Sequence, residues 1–180
     1  MLTAARRAEH CMMLQEGCVF IGRYEATFIF KAEGRLTQKS LWNANAAVKE
    51  CLADQSITHL LVDLTHCTYM DSTILGIVAR WAIAFAAAHA TRPFLLGIQN
   101  NPLENTLRRM NLHTLFHIGD ALVTEAQCAL TKIVQDDPNS KQAYADQVLS
   151  AHQTLAELSA DNAKEFAAVI QYLKADAQAK

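Results

Sequence analysis

Asp71, Ser72 and Thr73 form the segment whose side chains are best placed to do chemistry. Carboxylate and hydroxyl oxygens at the start of a helix accept hydrogen bonds from backbone N–H groups that have no partner within the helix. The sequence that follows, from Ile74 to Ala88, is almost entirely apolar and is typical of a helix in a protein core. The simplest interpretation of the three polar residues is therefore a helix N-cap.

Other candidate groups are weaker. His113 and His117 have the four-residue spacing of metal ligands on a helix, but their segment is predicted to be loop and strand, and no third ligand is nearby. His66 and Cys67 could act as base and nucleophile, but adjacent residues of an extended segment point to opposite sides. The sequence contains no Walker loop and no GxGxxG motif. We therefore expect no metal, no cofactor and no catalytic residue.

The elements that must position Asp71 alternate between strand and helix. Short apolar and β-branched runs predict strands at residues 18–21, 26–30, 59–64, 93–98 and 115–118. Helical spacing of apolar residues and helix-capping residues predict helices at 40–53, 73–90, 102–110 and 120–134. A short loop is expected between the strand ending at Leu64 and the helix. This order predicts an α/β fold with a four- to five-stranded mixed sheet and helices mainly on one face.

The last part of the chain is predicted to be a helical hairpin. Apolar residues recur every three or four positions on both sides of residues 159–162. Two amphipathic helices of this size are marginal alone, so the hairpin must dock on something. The sequence therefore divides into an α/β domain at 1–135 and a C-terminal extension at 136–180.

The helix at 73–90 is apolar on nearly all sides, so more than its sheet-facing side must be covered. The C-terminal hairpin, a second protomer or an exposed partner site are the alternatives, and either the helix or the hairpin could form a homodimer. Its apolar run of 15 residues contains Arg80 and is shorter than the roughly 20 residues that span a bilayer. We expect a core helix and no membrane insertion.

Composition excludes several classes of protein. The chain has 180 residues, is 51% hydrophobic and carries 16 basic against 18 acidic residues, which argues against disorder. A net charge of −2 provides no long-range field for nucleic acid or anionic lipid. Five cysteines form no CxxC pair, and the chain does not open with a secretory signal sequence. These features predict reduced thiols and a cytoplasmic protein.

Four short segments of the sequence resemble parts of the STAS domain, the fold of bacterial anti-sigma-factor antagonists. Asp63-Leu64-Thr65 resembles the run that ends a strand in this family, and Asp71-Ser72-Thr73-Ile74-Leu75-Gly76 resembles its helix-opening motif. Gly34-Arg35-Leu36 is similar to the family's G-x-L step, and Leu115-Phe116-His117-Ile118 before Asp120 is similar to its closing strand and helix. The resemblance covers roughly residues 15–132.

The sequence departs from the family pattern in two places. Ile74 stands where the family usually has glycine, and the C-terminal extension is absent from the minimal domain.

The resemblance implies a regulatory role for the hydroxyls. It implies that Thr73, or alternatively Ser72, is phosphorylated by a partner serine/threonine kinase that is also the anti-sigma factor, and that a phosphatase reverses this. This role requires the Thr73 hydroxyl to be exposed at the helix start. A phosphate there adds roughly −1.5 to −2 charges, which we expect to affect the partner more than the fold. The predicted contact residues are Asp63, Asp71, Ser72, Ile74, Leu75 and Gly76.

Two other functions remain open. A STAS-like domain could be a permanently bound subunit of a membrane transporter or a sensory assembly, with Thr73 acting only as a cap. An enzyme would require a pocket with convergent polar groups, for which the sequence offers few candidates.

Overall fold

The structure is a computed structural model that describes residues 17–119, 129–133 and 141–178. Its centre is a six-stranded mixed sheet in the order β5-β4-β3-β2-β1-β6. β1 pairs antiparallel with β2 and β6, whereas β2, β3, β4 and β5 are parallel. The strands are β1 Cys18–Tyr24, β2 Thr27–Leu36, β3 His59–Met70, β4 Phe94–Leu96, β5 His117–Ile118 and β6 Thr131–Lys132. The α/β class and the mixed sheet are confirmed, with one strand more than predicted.

β3 is twice as long as predicted, because the expected loop between residue 64 and Asp71 is strand. The second half of β2 continues beside it, so that Glu33 pairs with His66 and Leu36 with Met70. Exposed polar residues in this half of β3 obscure the strand in the sequence, but the parallel partner satisfies their backbone groups. β3 therefore runs directly to Asp71.

β6 corrects a second prediction. The predicted helix at 120–134 lies partly outside the described residues, but Thr131 and Lys132 form a strand beside Ile21 and Phe20 of β1. β1 would otherwise be an edge strand with unpaired N–H and C=O groups, and this short segment pairs with part of that edge. The predicted strand at 115–118 is also shorter, because a 3-10 turn occupies Leu112–Leu115.

The helices are α1 Trp42–Ala53, α2 Ser72–His89, α3 Glu104–Arg109, α4 Lys141–Glu157 and α5 Ala160–Gln178. Side chains of α1 and α2 share one large core with one face of the sheet. A smaller apolar cluster of Ile29, Leu61 and Leu96 lies on the opposite face. The prediction that helices lie mainly on one face is confirmed.

α2 is the helix of the described chain that is long and apolar enough to cross a membrane, with 18 residues and a mean hydropathy of 1.4. Ile74, Ile77, Trp81 and Phe85 from this helix are at most 2% exposed. Its apolar composition is accounted for by the protein core.

The C-terminal helices α4 and α5 pack against each other, and α4 packs against α2. Ala151, Leu155 and Phe166 from this hairpin are buried in the same core as the sheet. The Asn162 side chain, 2% exposed, donates hydrogen bonds to the backbone oxygens of Leu155 and Met110 at 2.9 and 3.0 Å. The predicted helical extension is present, and it is fastened to the sheet domain. The division at residue 135 remains a prediction.

Candidate functional site

Asp71 is the N-cap of α2. Its Oδ1 accepts a hydrogen bond of 3.0 Å from the backbone N–H of Ile74. The residue has extended backbone dihedrals, as expected at the junction between β3 and a helix. The predicted N-cap is confirmed, and the strand, cap and helix together fix the position of the two hydroxyl residues.

Ser72 contacts the C-terminal hairpin. Its Oγ lies 3.0 Å from Nε2 of His152 in α4, and Nδ1 of that ring lies 2.8 Å from the carbonyl oxygen of Val148. A carbonyl only accepts, so Nδ1 carries a proton, and in the neutral ring Nε2 accepts the Ser72 hydroxyl. His152 is 5% exposed and packs edge-on against Phe166. The alternative acceptor hydroxyl is therefore engaged by a buried imidazole.

His152 was missed by sequence reasoning. The one signal in the sequence is its position four residues after Val148, on the face of α4 that is otherwise apolar. A polar residue on such a face needs a hydrogen-bonding partner, but the sequence does not show that the partner is Ser72.

Thr73 is 4% exposed, which corrects the expectation of an exposed hydroxyl. Its position explains the burial. Ile77, one turn further along α2, is in the core, and Arg80, two turns along, donates a 2.7 Å hydrogen bond to Ser150 of α4. Residues separated by seven positions lie on nearly the same side of a helix. Thr73 therefore lies where the core and the hairpin meet.

The other predicted contact residues do not form one surface. Ile74 and Leu75 are at most 1% exposed and belong to the core. Asp63 is half-buried and accepts hydrogen bonds from the backbone N–H and hydroxyl of Thr65 at 2.9 and 2.6 Å. Eight residues of strand, about 26 Å at 3.3 Å each, separate Asp63 from Asp71. The structure therefore brings Asp71, Ser72 and Gly76 together but leaves Asp63 elsewhere.

Charge near the cap affects one residue of the hairpin. Burial and the negative charge of Asp71 raise the pKa of Tyr144 in α4. The Tyr144 hydroxyl is among the buried polar atoms of the described chain that have no hydrogen-bond partner. α4 therefore contacts the first turn of α2 at Ser72, and the nearby Tyr144 hydroxyl of α4 has no hydrogen-bond partner.

The remaining candidates are Cys67 and the two histidines of the 113–117 segment. Burial raises the pKa of the Cys67 thiol to about 11, so it remains a protonated thiol at neutral pH. No cluster of three metal-ligating side chains exists within residues 17–119, 129–133 and 141–178, where His113 and His117 both lie. The groups at the start of α2 form hydrogen bonds across an interface between helices.

A comparison with known protein families agrees with this fold. A family model described as STAS domain matches residues 21–124, more than half of the chain. Similar solved structures include the anti-sigma factor antagonist SpoIIAA in its unphosphorylated form, which is 18% identical, covers 56% of this chain and 88% of that chain, and has a TM-score of 0.47.

A second similar structure is the Bacillus cell fate determinant SpoIIAA in its phosphorylated form. It is also 18% identical and covers 56% of this chain and 91% of that chain, with a TM-score of 0.45. None of the curated proteins matches the chain in sequence.

Proposed function

The chain belongs to the STAS domain family, and from this premise we propose that it is a regulatory protein of the anti-sigma-factor-antagonist type. It binds a partner anti-sigma factor that is also a serine/threonine kinase, and phosphorylation at Thr73 ends that binding. A phosphatase restores the unmodified form. The protein works in the cytoplasm by binding, without catalysis or a cofactor. The observation that carries this proposal is the Asp71-Ser72-Thr73 segment at the start of α2, capped by Asp71.

The position of the hydroxyl suits a charge switch. A phosphate at a helix N-terminus is favoured by free N–H groups, an effect of up to about 2 kcal/mol, and Asp71 opposes it by repulsion. A doubly charged group within a packed interface leaves partner groups desolvated and repelled, which costs several kcal/mol. The switch therefore acts mainly on the interface. Because Thr73 is buried, the first turn must open before a kinase can reach it.

A test combines mass spectrometry with capture from extract. We expect the full-length protein, incubated with ATP and extract of its own cells, to gain one phosphate, and Thr73→Val to gain none. Thr73→Val keeps the shape of the side chain without the hydroxyl, and Ser72→Ala is the matched control that retains the phosphate. Thr73→Glu should lose the kinase that the wild-type protein captures. A phosphate on Ser72 alone, or none in any variant, would contradict phosphorylation at Thr73.

A second candidate function is favoured by the burial of Thr73 itself. In a permanently bound subunit of a transporter or sensory assembly, Thr73 would be only a packed residue beside the cap. The same experiment separates the two functions, because a permanent subunit gains no phosphate, whereas a switched antagonist gains one phosphate that Thr73→Val loses.

A further inference from the structure

One face of α2 is held by α4 through three consecutive contacts. Ser72, Gly76 and Arg80 follow each other at intervals of four residues, one helical turn apart. Ser72 contacts His152, and Arg80 donates a hydrogen bond to Ser150. Between them Gly76 lies against Ala151. The helix of the extension therefore crosses the first turns of α2, which contain the proposed phosphoacceptor.

Gly76 makes the closest of these contacts. A Cβ atom on Gly76 would overlap the backbone carbonyl of Ala151 and lie 2.8 Å from its Cα. Only a helix with a small side chain at the crossing point can approach this closely, and α4 presents Ala151 there. This face of α2 is therefore shaped to receive another helix.

We propose that α4 is a built-in competitor for the partner-binding face of α2. The hairpin must leave this face before a partner can contact Ser72, Thr73 and Gly76, so hairpin docking and partner binding exclude each other. The inference rests on the proposed function for the identity of the partner site. The external partner that fits the face presents a helix with a small residue over Gly76, as α4 does.

The contacts of α4 suit reversible docking. Three of them are polar pairs that water or a partner can replace: Ser72 with His152, Arg80 with Ser150, and Asn45 of α1 with Gln147 at 2.9 Å. The Tyr144 hydroxyl is buried without a hydrogen-bond partner, which is unfavourable and is relieved when the hairpin leaves. Burial of Ala151, Leu155 and Phe166 favours docking and keeps the hairpin on α2 in the absence of a partner.

The test measures access to position 73 without any partner. Thr73→Cys is introduced into the full chain and labelled with a maleimide, and peptide mapping separates the introduced thiol from the five native cysteines. Two further substitutions loosen the contact from opposite sides. Gly76→Ala leaves no room for α4 while improving the helix propensity of α2, and Ala151→Glu places a charge in the interface. Gln142→Glu, on the exposed side of α4, adds the same charge away from the contact and is the matched control.

We expect Gly76→Ala and Ala151→Glu each to increase labelling of the introduced thiol by at least about tenfold, and Gln142→Glu to leave it unchanged. Amide hydrogen exchange should accelerate in α4 and α5 while β2 and β3 remain protected, which shows that the sheet is folded. Rapid exchange in α4 with the introduced thiol still unlabelled would overturn the inference, because the sheet domain alone would then bury the site. Unchanged exchange in both variants would overturn it too, because the hairpin would be a permanent part of the fold.

Failure of the proposed function gives a different result. If the chain is never phosphorylated and captures no kinase, the labelling and exchange results still report whether α4 covers this face. If labelling increases but no phosphate is found, the inference that α4 covers this face stands, and the proposal that Thr73 is phosphorylated is wrong.

Discussion

At the scale of the residue, Asp71 links β3 to α2. Its carboxylate satisfies the N–H of Ile74, and its charge acts on Tyr144 across the interface with α4. The sequence predicted this cap, because Asp before Ser-Thr and an apolar run is a local signal. The sequence did not predict the burial of Thr73, because burial depends on a helix about 70 residues further along the chain.

We expect Asp71→Ala to lower the free energy of unfolding by about 1 kcal/mol, because the first turn of α2 loses its cap. Asp71→Asn retains an oxygen that can accept the same hydrogen bond, so its free energy of unfolding should fall by much less than that of Asp71→Ala. Urea denaturation of both variants measures the difference. Equal losses in the two variants would mean that the charge of Asp71, and not its hydrogen bond, stabilises the helix.

At the scale of the element, local patterns located most helices and strands but not the second half of β3. Residues 65–70 contain exposed polar side chains, and only the pairing with β2 makes them a strand. The sequence did not predict β6, because a strand of two residues at a sheet edge is too short to show an alternating pattern. Helical spacing predicted α4 and α5 well, because amphipathic helices repeat their pattern over several turns. The sequence did not decide what covers the side of α2 that faces away from the sheet, and the structure shows that α4 packs there.

Asn162 is a buried polar residue that fastens the hairpin near α3. We expect Asn162→Ala to lower the free energy of unfolding by roughly 1–3 kcal/mol, since the buried oxygens of Met110 and Leu155 each lose a donor. Lys164→Ala, at an exposed position of the same helix, is the control and should have little effect. Chemical denaturation compares the two. A loss below about 0.5 kcal/mol in Asn162→Ala would show that water replaces the amide.

At the scale of the whole molecule, the sheet, α1, α2 and the hairpin form one hydrophobic core. Composition and element order predicted its class, because they depend on patterns distributed along the entire chain. The shared core also couples stability to the protonation of buried thiols. Burial raises the pKa of Cys51 from 9.0 to about 12 and that of Cys67 from 9.0 to about 11.

Because these thiols are buried, we expect the free energy of unfolding to decrease at alkaline pH. Below pH 9 both thiols are protonated whether the chain is folded or unfolded, so their contribution is fully present. Above pH 9 the unfolded chain releases protons that the folded chain retains until about pH 11 to 12, so the free energy of unfolding falls as pH rises. We expect Cys67→Ala to show a shallower fall between pH 9 and about 11 than the wild-type protein. Urea denaturation across this pH range measures the slopes. Parallel slopes in the two proteins would show that the Cys67 thiol ionises without resistance from the fold, and that the core around β3 admits water.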